Sequence, residues 1–406
     1  MEACKDLRLT NCKILTPFEM LEEGSITITE GKIAEVNRGI SEESGSLKTL
    51  DMRGALVIPG FVDLHCHGAL GEDFMSASEE AVQKAAWFHL QHGTTSLLPT
   101  SLSAPLPAIL SMLKTMQSAM QKGTVPNLAG VHIEGPYLSE LQCGAQDTRY
   151  LKNPDPEEYY KILEFSSIIR RWTIACELPG ALELGRILAR LGILPSIGHS
   201  NAQYSEVVEA VSSGFRLVTH LYSGTSLVTR KRGIRYPGVV ESTLLLDTLA
   251  AEIIVDGMHL PEALVQLVFK IKGADNVIMV TDAMAAAGMG DGIYRLGDAE
   301  SGQDVSVHDG VAWTSSGEAF AGSIATADHL LRKAVLWAGI SLKDAVTSLS
   351  ATPAKLAGIY KRTGSIEPGK DADILILDDN LEILMVIAKG RIVGSGGSYG
   401  SISSSF

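Results

Sequence analysis

Residues 59–68 read PGFVDLHCHG. A Pro-Gly break is followed by a short apolar run that closes on two histidines. In a strand, residues i and i+2 project to one face, so His65 and His67 can reach the same ion. Cys66 lies between them, faces the other way and reads as packing. Seven more runs of this kind follow: TSLLP (95–99), LAGVHIE (128–134), WTIACE (172–177), ILPSIGH (193–199), RLVTH (216–220), EIIVDG (252–257) and NVIMVTD (276–282). Stretches with helical apolar spacing separate most of them, and these mostly stop at Gly. SASEEAVQKAAWFHLQHG is one, with Ser76 three before Glu79 as a capping box. PEEYYKILEF, ALELGRILARLG, QYSEVVEAVSSG and PEALVQLVFKIKG are others. Eight strands alternating with helices predict an α/β fold, a TIM-like (β/α)8 barrel over residues 59–358. A doubly wound sheet is the runner-up, but no GxGxxG follows the first strand.

The flanks read differently. Residues 1–58 and 359–393 alternate or run apolar with Gly at the turns, as in TEGKIAEV and AKGRIV. Both ends together are expected to form one small β-sandwich domain, with residues 394–406 as a flexible Gly/Ser-rich tail. The chain has 406 residues, 45% hydrophobic and 20% charged, so it can bury a core. Its 34 Lys and Arg against 47 Asp and Glu leave a net charge of −13. That acidity argues against nucleic acid or an anionic membrane as partner, though local cations could still hold a small anion. Residues 85–113 lack Asp, Glu, Lys and Arg, yet Gly93, Pro99, Pro105 and Pro107 interrupt them. A buried helix–strand–helix passage fits them better than a membrane span. Five cysteines without a CxxC, and no leader-like N-terminus, fit a reducing cytoplasm.

In a barrel of this kind, active sites collect at the C-terminal ends of the strands. His65 and His67 close the first run, Glu134 the third, His199 the fifth, His220 the sixth and Asp282 the eighth. Imidazole and carboxylate together suit Zn or Fe, as one or two divalent ions. Each residue alone has a plainer reading: a strand-end histidine on backbone, a turn carboxylate, a helix cap. Their convergence favours the metal. Asp282, after a buried strand, reads as general base and acid beside a metal-activated water. His259 in VDGMH is either a loop histidine or a site residue. Arg230, Lys231, Arg232 and Arg235 form a basic cluster that would suit an anionic substrate at the barrel mouth. His89, His92, His132, His308 and His329 read as structural; His132 is the least secure, two residues before Glu134.

With these motifs in view, the chain resembles the amidohydrolase superfamily and, within it, the N-acetylglucosamine-6-phosphate deacetylases. The likeness runs through PGFVDLHCHG, GTTSLLPT, GVHIEGPYLS with GAQD, SIGHS, VTHLYS, VDGMH, VTDAMAAAG, AGSIATAD and GSIEPGKDADILILD. It implies that His199, His220 and Glu134 hold the main metal and that His65 and His67 complete a second site. Glu134 then stands where other amidohydrolases use a carboxylated lysine, and Asp282 is the proton shuttle. His259 and Arg235 are implied as contacts to a sugar and its phosphate, and Gln146 fills a substrate-side position that is His in many members. Ser223-Gly224 replaces the usual Asn-Ala, and the loop to Arg235 is longer and more basic than usual. A homodimer is implied by the resemblance alone.

The expected reaction is metal-assisted hydrolysis of an acetamide on a small amino-sugar phosphate, giving acetate and an amine. Other N-acetylhexosamines, with galactosamine configuration or without phosphate, stay open. A cyclic amidase or aminoacylase is disfavoured, since the fourth run offers no Lys. A metal-binding barrel without activity is disfavoured by Asp282.

Overall fold

The computed structural model describes residues 6–39 and 47–393. The tail from 394 lies outside them. Eight parallel strands follow in chain order: β1 Phe61–Cys66, β2 Thr94–Pro99, β3 Val131–Glu134, β4 Ile169–Ile174, β5 Leu194–Ile197, β6 Leu217–Val218, β7 Ala250–Ile253 and β8 Val277–Met279. β3 to β8 form one curled six-stranded parallel sheet, and β1 pairs with β2. Single parallel bridges join the two groups: Leu97 to Leu128 and Thr100 to His132 on one side, Cys66 to Ala283 on the other. At that second join the Asp282 N–H donates to the His65 carbonyl at 2.9 Å, and the His67 N–H to the Ala283 carbonyl at 2.7 Å. Nearly every residue of these strands is buried, because a parallel sheet covered on both faces has no wet side. That is why they read as continuous apolar runs.

Helices lie between the strands where apolar spacing predicted them. Ala181–Arg190 buries Ala181, Leu184 and Leu188 on one face, each large side chain contributing about 1.5–3 kcal/mol. The helix after β1 spans Glu79–Gln91, and its N-cap is Ser78, which accepts from the Ala81 N–H. The capping box from Ser76 is therefore corrected: Ser76 ends a short 3-10 turn instead. The passage from 85 to 113 is the end of this helix, then β2, then the start of helix Leu106–Lys122. Among the described residues, no helix is long and apolar enough to cross a membrane.

Both flanks meet in one eight-stranded sheet, in which Leu56–Pro59 pairs antiparallel with Ile374–Leu377. It has its own apolar core, including Leu7, Leu9, Ile26, Ile28, Val57, Ile374 and Ile376. Gly60 alone separates this sheet from β1. A Cβ there would stand 2.1 Å from Thr95 Oγ1, so only glycine fits.

Several elements went unread in the sequence, among them two small antiparallel sheets. Thr229–Lys231 and Ile234–Tyr236 form a hairpin. Its turn, Arg232-Gly233, has φ of 50° and 87°, the two positive values a tight primed turn requires. Gly292–Leu296, Gln303–His308 and Val311–Trp313 form a three-stranded antiparallel sheet after β8.

Candidate active site

The strand ends bring six side chains together. His65 lies inside β1 and Glu134 ends β3, whereas His199, His220 and Asp282 sit two or three residues past their strands. These last three have positive φ, 46°, 26° and 45°. Such backbone is costly for a side-chain-bearing residue and persists where the surroundings fix it, often at functional sites. His65 Nε2 is 3.1 Å from His67 Nε2, and both are 3.2 Å from Asp282 Oδ1. Glu134 Oε1 is 3.3 Å from His199 Nε2 and 3.2 Å from His220 Nε2, while its Oε2 is 3.4 Å from His67 Nε2. The carboxylate thus turns Oε1 to His65, at 3.5 Å, as well as to His199 and His220, and Oε2 to His67.

What lies behind the rings fixes which nitrogen faces inward. His199 Nδ1 donates to the Gln142 carbonyl and His220 Nδ1 to the Ser223 carbonyl, each at 2.9 Å. His65 Nδ1 donates to Glu252 Oε1 at 2.9 Å. With Nδ1 carrying the proton, Nε2 of each ring is free toward the centre, the arrangement of metal-ligating histidines. Three groups of ligand atoms lie close enough for one ion: His65–His67–Glu134, His65–His220–Asp282 and Glu134–His199–His220.

Electrostatics call for a cation there. Two imidazole nitrogens 3.1 Å apart cannot both present lone pairs without a cation between them. Burial opposes charge on His65, but the carboxylates of Asp282 and Glu134 outweigh it and raise its pKa well above the ordinary value. Burial would likewise raise Glu134 and Asp282. The imidazoles outweigh it, His65 foremost, and hold both carboxyls well below their usual range. A proton or a divalent metal answers this demand, and the donor set of imidazole and carboxylate suits a divalent metal.

His67, Glu134, His199, His220 and Asp282 line a cavity of about 360 Å³, and His65 is buried behind them. Ser223, Gly224 and His259 line it as well. His259 is not a solvated loop residue: its side chain is buried, with Nδ1 on Asp256 Oδ2 at 2.8 Å and its ring edge-on to Phe320. Gln146 lines the cavity but spends its amide on the protein, donating to Glu134 Oε2 at 2.7 Å. Arg235 is not brought in. It is exposed on the hairpin and bonds the Gly233 carbonyl of its own turn. None of the described residues lining the cavity is Lys or Arg. His132 belongs to the wall's support, its two nitrogens taken by the Thr100 and Thr173 hydroxyls. Cys66 and His89 pack together beneath β1.

The pattern of the amidohydrolase family matches residues 56–393. This chain belongs to the amidohydrolase family. It is 34% identical over 388 residues to the N-acetylglucosamine-6-phosphate deacetylase of Lysinibacillus sphaericus, covering 95% of this chain and 97% of that protein. An N-acetylgalactosamine-6-phosphate deacetylase of Escherichia coli O157:H7 is 29% identical, over 94% of this chain and 97% of the relative. Among solved structures, a variant of the Mycobacterium smegmatis N-acetyl-D-glucosamine-6-phosphate deacetylase, in complex with N-acetyl-D-glucosamine-6-phosphate, superposes with a TM-score of 0.87 at 30% identity. That match covers 95% of this chain and 99% of the other.

Against this amidohydrolase frame, two groups of site residues had gone unread. Arg171 and Glu252 form a fully buried ion pair behind the ligands. Glu252 opens the EIIVDG run and Arg171 immediately precedes WTIACE, so a charge in a buried strand was the available signal. The cavity roof, Trp313 with 318–322, comes from the last strand of the three-stranded sheet and the loop after it. Its TSSGEAFAG sequence carries no metal-type or base-type residue except Glu318, and so gave no signal.

Proposed function

We propose that this chain hydrolyses the acetamide of N-acetylglucosamine 6-phosphate to glucosamine 6-phosphate and acetate, in amino-sugar catabolism. One observation carries the reading: His67, His199, His220, Glu134 and Asp282 line one cavity, with His65 packed directly against them. Whole-length relatives with that activity in their names support it.

A divalent metal, Zn or Fe by ligand type, would be held by Glu134, His199 and His220, with a second at His65 and His67. Support for two ions is that Glu134 belongs both to the group with His65 and His67 and to the group with His199 and His220. When bound, the metal polarises the acetamide carbonyl and acidifies water. Asp282, ionised because the imidazoles outweigh its burial, accepts the proton of the attacking water. As the C–N bond breaks, the same carboxyl returns that proton to the leaving amine. A new C–O bond completes acetate. The buried cluster behind His65 and His220 keeps these groups in place.

The sugar would lie between that wall and the roof, touching Ser223, Gly224 and His259, with Gln146 acting through Glu134. The cavity offers no Lys or Arg for a phosphate, while Arg230, Lys231, Arg232 and Arg235 stand on an exposed hairpin. A homodimer that carries the hairpin, with Arg235, to the partner's cavity would supply that charge. We also read β1 to β8 as one closed (β/α)8 barrel over 59–358, supported by the bridges on both sides of the β1–β2 pair. Residues 1–58 and 359–393 then make the β-sandwich domain. A cytoplasmic location accompanies a phosphorylated substrate.

The test is acetate release by metal-analysed protein from N-acetylglucosamine, N-acetylgalactosamine and their 6-phosphates. Highest kcat/KM on N-acetylglucosamine 6-phosphate is expected. A preference for the galactosamine phosphate transfers the reading to the sugar named for the Escherichia coli relative. No acetate from any of the four refutes it.

A further inference from the structure

We propose that Glu252 is the positioning residue that ties the two halves of the metal centre together, with Arg171 as the counter-ion that lets it stay buried. The inference rests on the metal-dependent reading above. Glu252 Oε1 accepts two hydrogen bonds at once. One comes from His65 Nδ1 at 2.9 Å and the other from the backbone N–H of His220 at 3.1 Å. His65, on β1, belongs to the group with His67 and Glu134. His220, past β6, belongs to the group with Glu134 and His199, and the two histidines meet in a third group with Asp282. A single oxygen therefore sets the ring tautomer on one side and the backbone on the other. On the His220 side the backbone has a φ of 26°, a conformation that needs holding from outside.

The other carboxylate oxygen meets Arg171 Nη1. Both side chains are wholly buried. Arg171 is in turn spread across the interior. It donates to the Leu64 carbonyl at 3.2 Å, Ser196 Oγ at 3.1 Å and Thr219 Oγ1 at 2.8 Å. Its partners thus come from β1, β5, the segment after β6, and β7. Leu64 and Thr219 are the residues immediately before His65 and His220. A structural ion pair would need none of these ligand-side bonds. A device for setting ligand positions needs them all, since outer partners fix ligand orientation and commonly govern metal affinity.

The test uses full-length protein stripped of metal and titrated with Co²⁺, followed by its visible absorption, for wild type, Glu252→Asp and the double variant Arg171→Met/Glu252→Gln. The aspartate keeps the charge pair but is one methylene too short to hold both partners. The double variant removes both charges together, so neither is left buried alone. Each is expected to fold, by its thermal melt, yet to bind Co²⁺ about 10–100-fold more weakly with an altered spectrum. Wild-type affinity and spectrum in either folded variant overturn the proposal. Absence of Co²⁺ uptake by wild type overturns the metal-dependent reading, and this inference with it.

Discussion

Gln146 donates to Glu134 Oε2 at 2.7 Å while its own Oε1 accepts from the Ser103 backbone N–H at 2.8 Å. It clamps the carboxylate shared by both histidine pairs to the loop after β2. Gln146→Leu removes both bonds and leaves the Ser103 N–H buried without an acceptor, at about 1–3 kcal/mol. A lower melting temperature and weaker metal binding are expected together, by thermal melt and metal titration. A variant with unchanged metal affinity would show that Glu134 is held without it.

On the proposed reading Asp282 moves the proton, and Glu134 with the imidazoles suffices to hold metal without it. Asp282→Asn should therefore keep its metal content and lose kcat by about 10²–10⁴-fold. Acetate release and metal analysis on one preparation check this. Turnover near the wild-type level would sink the assignment.

Arg235 stands outside its own chain's cavity. If it serves the phosphate of a neighbour's substrate, Arg235→Ala should raise KM for the 6-phosphate by roughly tenfold or more and spare kcat, since a charge-assisted bond is lost. KM for the unphosphorylated sugar should stay level. Equal changes for both sugars would remove Arg235 from phosphate recognition.

Gly198 precedes His199 in the packed interior. A Cβ there would meet Thr173 Cγ2 at 2.5 Å and Thr219 Cβ at 2.7 Å. Gly198→Ala is expected to cost about 1–3 kcal/mol by overpacking, measured by denaturant unfolding. Metal affinity should fall too, because Thr219 adjoins His220.

His89 is fully buried, and burial pushes its pKa down from 6.5 to about 4, against the pull of the Gly68 carbonyl. The fold keeps it neutral. Between about pH 6.5 and 4 the unfolded chain therefore binds a proton that the folded chain does not, so stability rises with pH through this window and is lost as pH falls. The shift corresponds to about 3 kcal/mol. His89→Gln should flatten the stability profile in that range. An unchanged slope would mean that another group carries it.

The sequence by itself determined the eight apolar runs, the helices between them and the polar residues at the run ends. Burial on both faces forces continuous apolar strands, and function forces polar side chains where those strands stop. These features are local, so periodicity and residue type expose them. His65 and His67 bring their Nε2 atoms together because a strand repeats every two residues, a fact readable from ten residues. Other matters needed the folded chain. Ser78, not Ser76, caps its helix, since the cap depends on where the chain turns. Gln146 serves Glu134, and His259 is buried on Asp256, because partners are chosen by packing. Glu252 and Arg171 are 81 residues apart in sequence. Only the curling of the sheet that holds β4 and β7 brings their charges together, and a buried charge finds its counter-ion through space rather than along the chain.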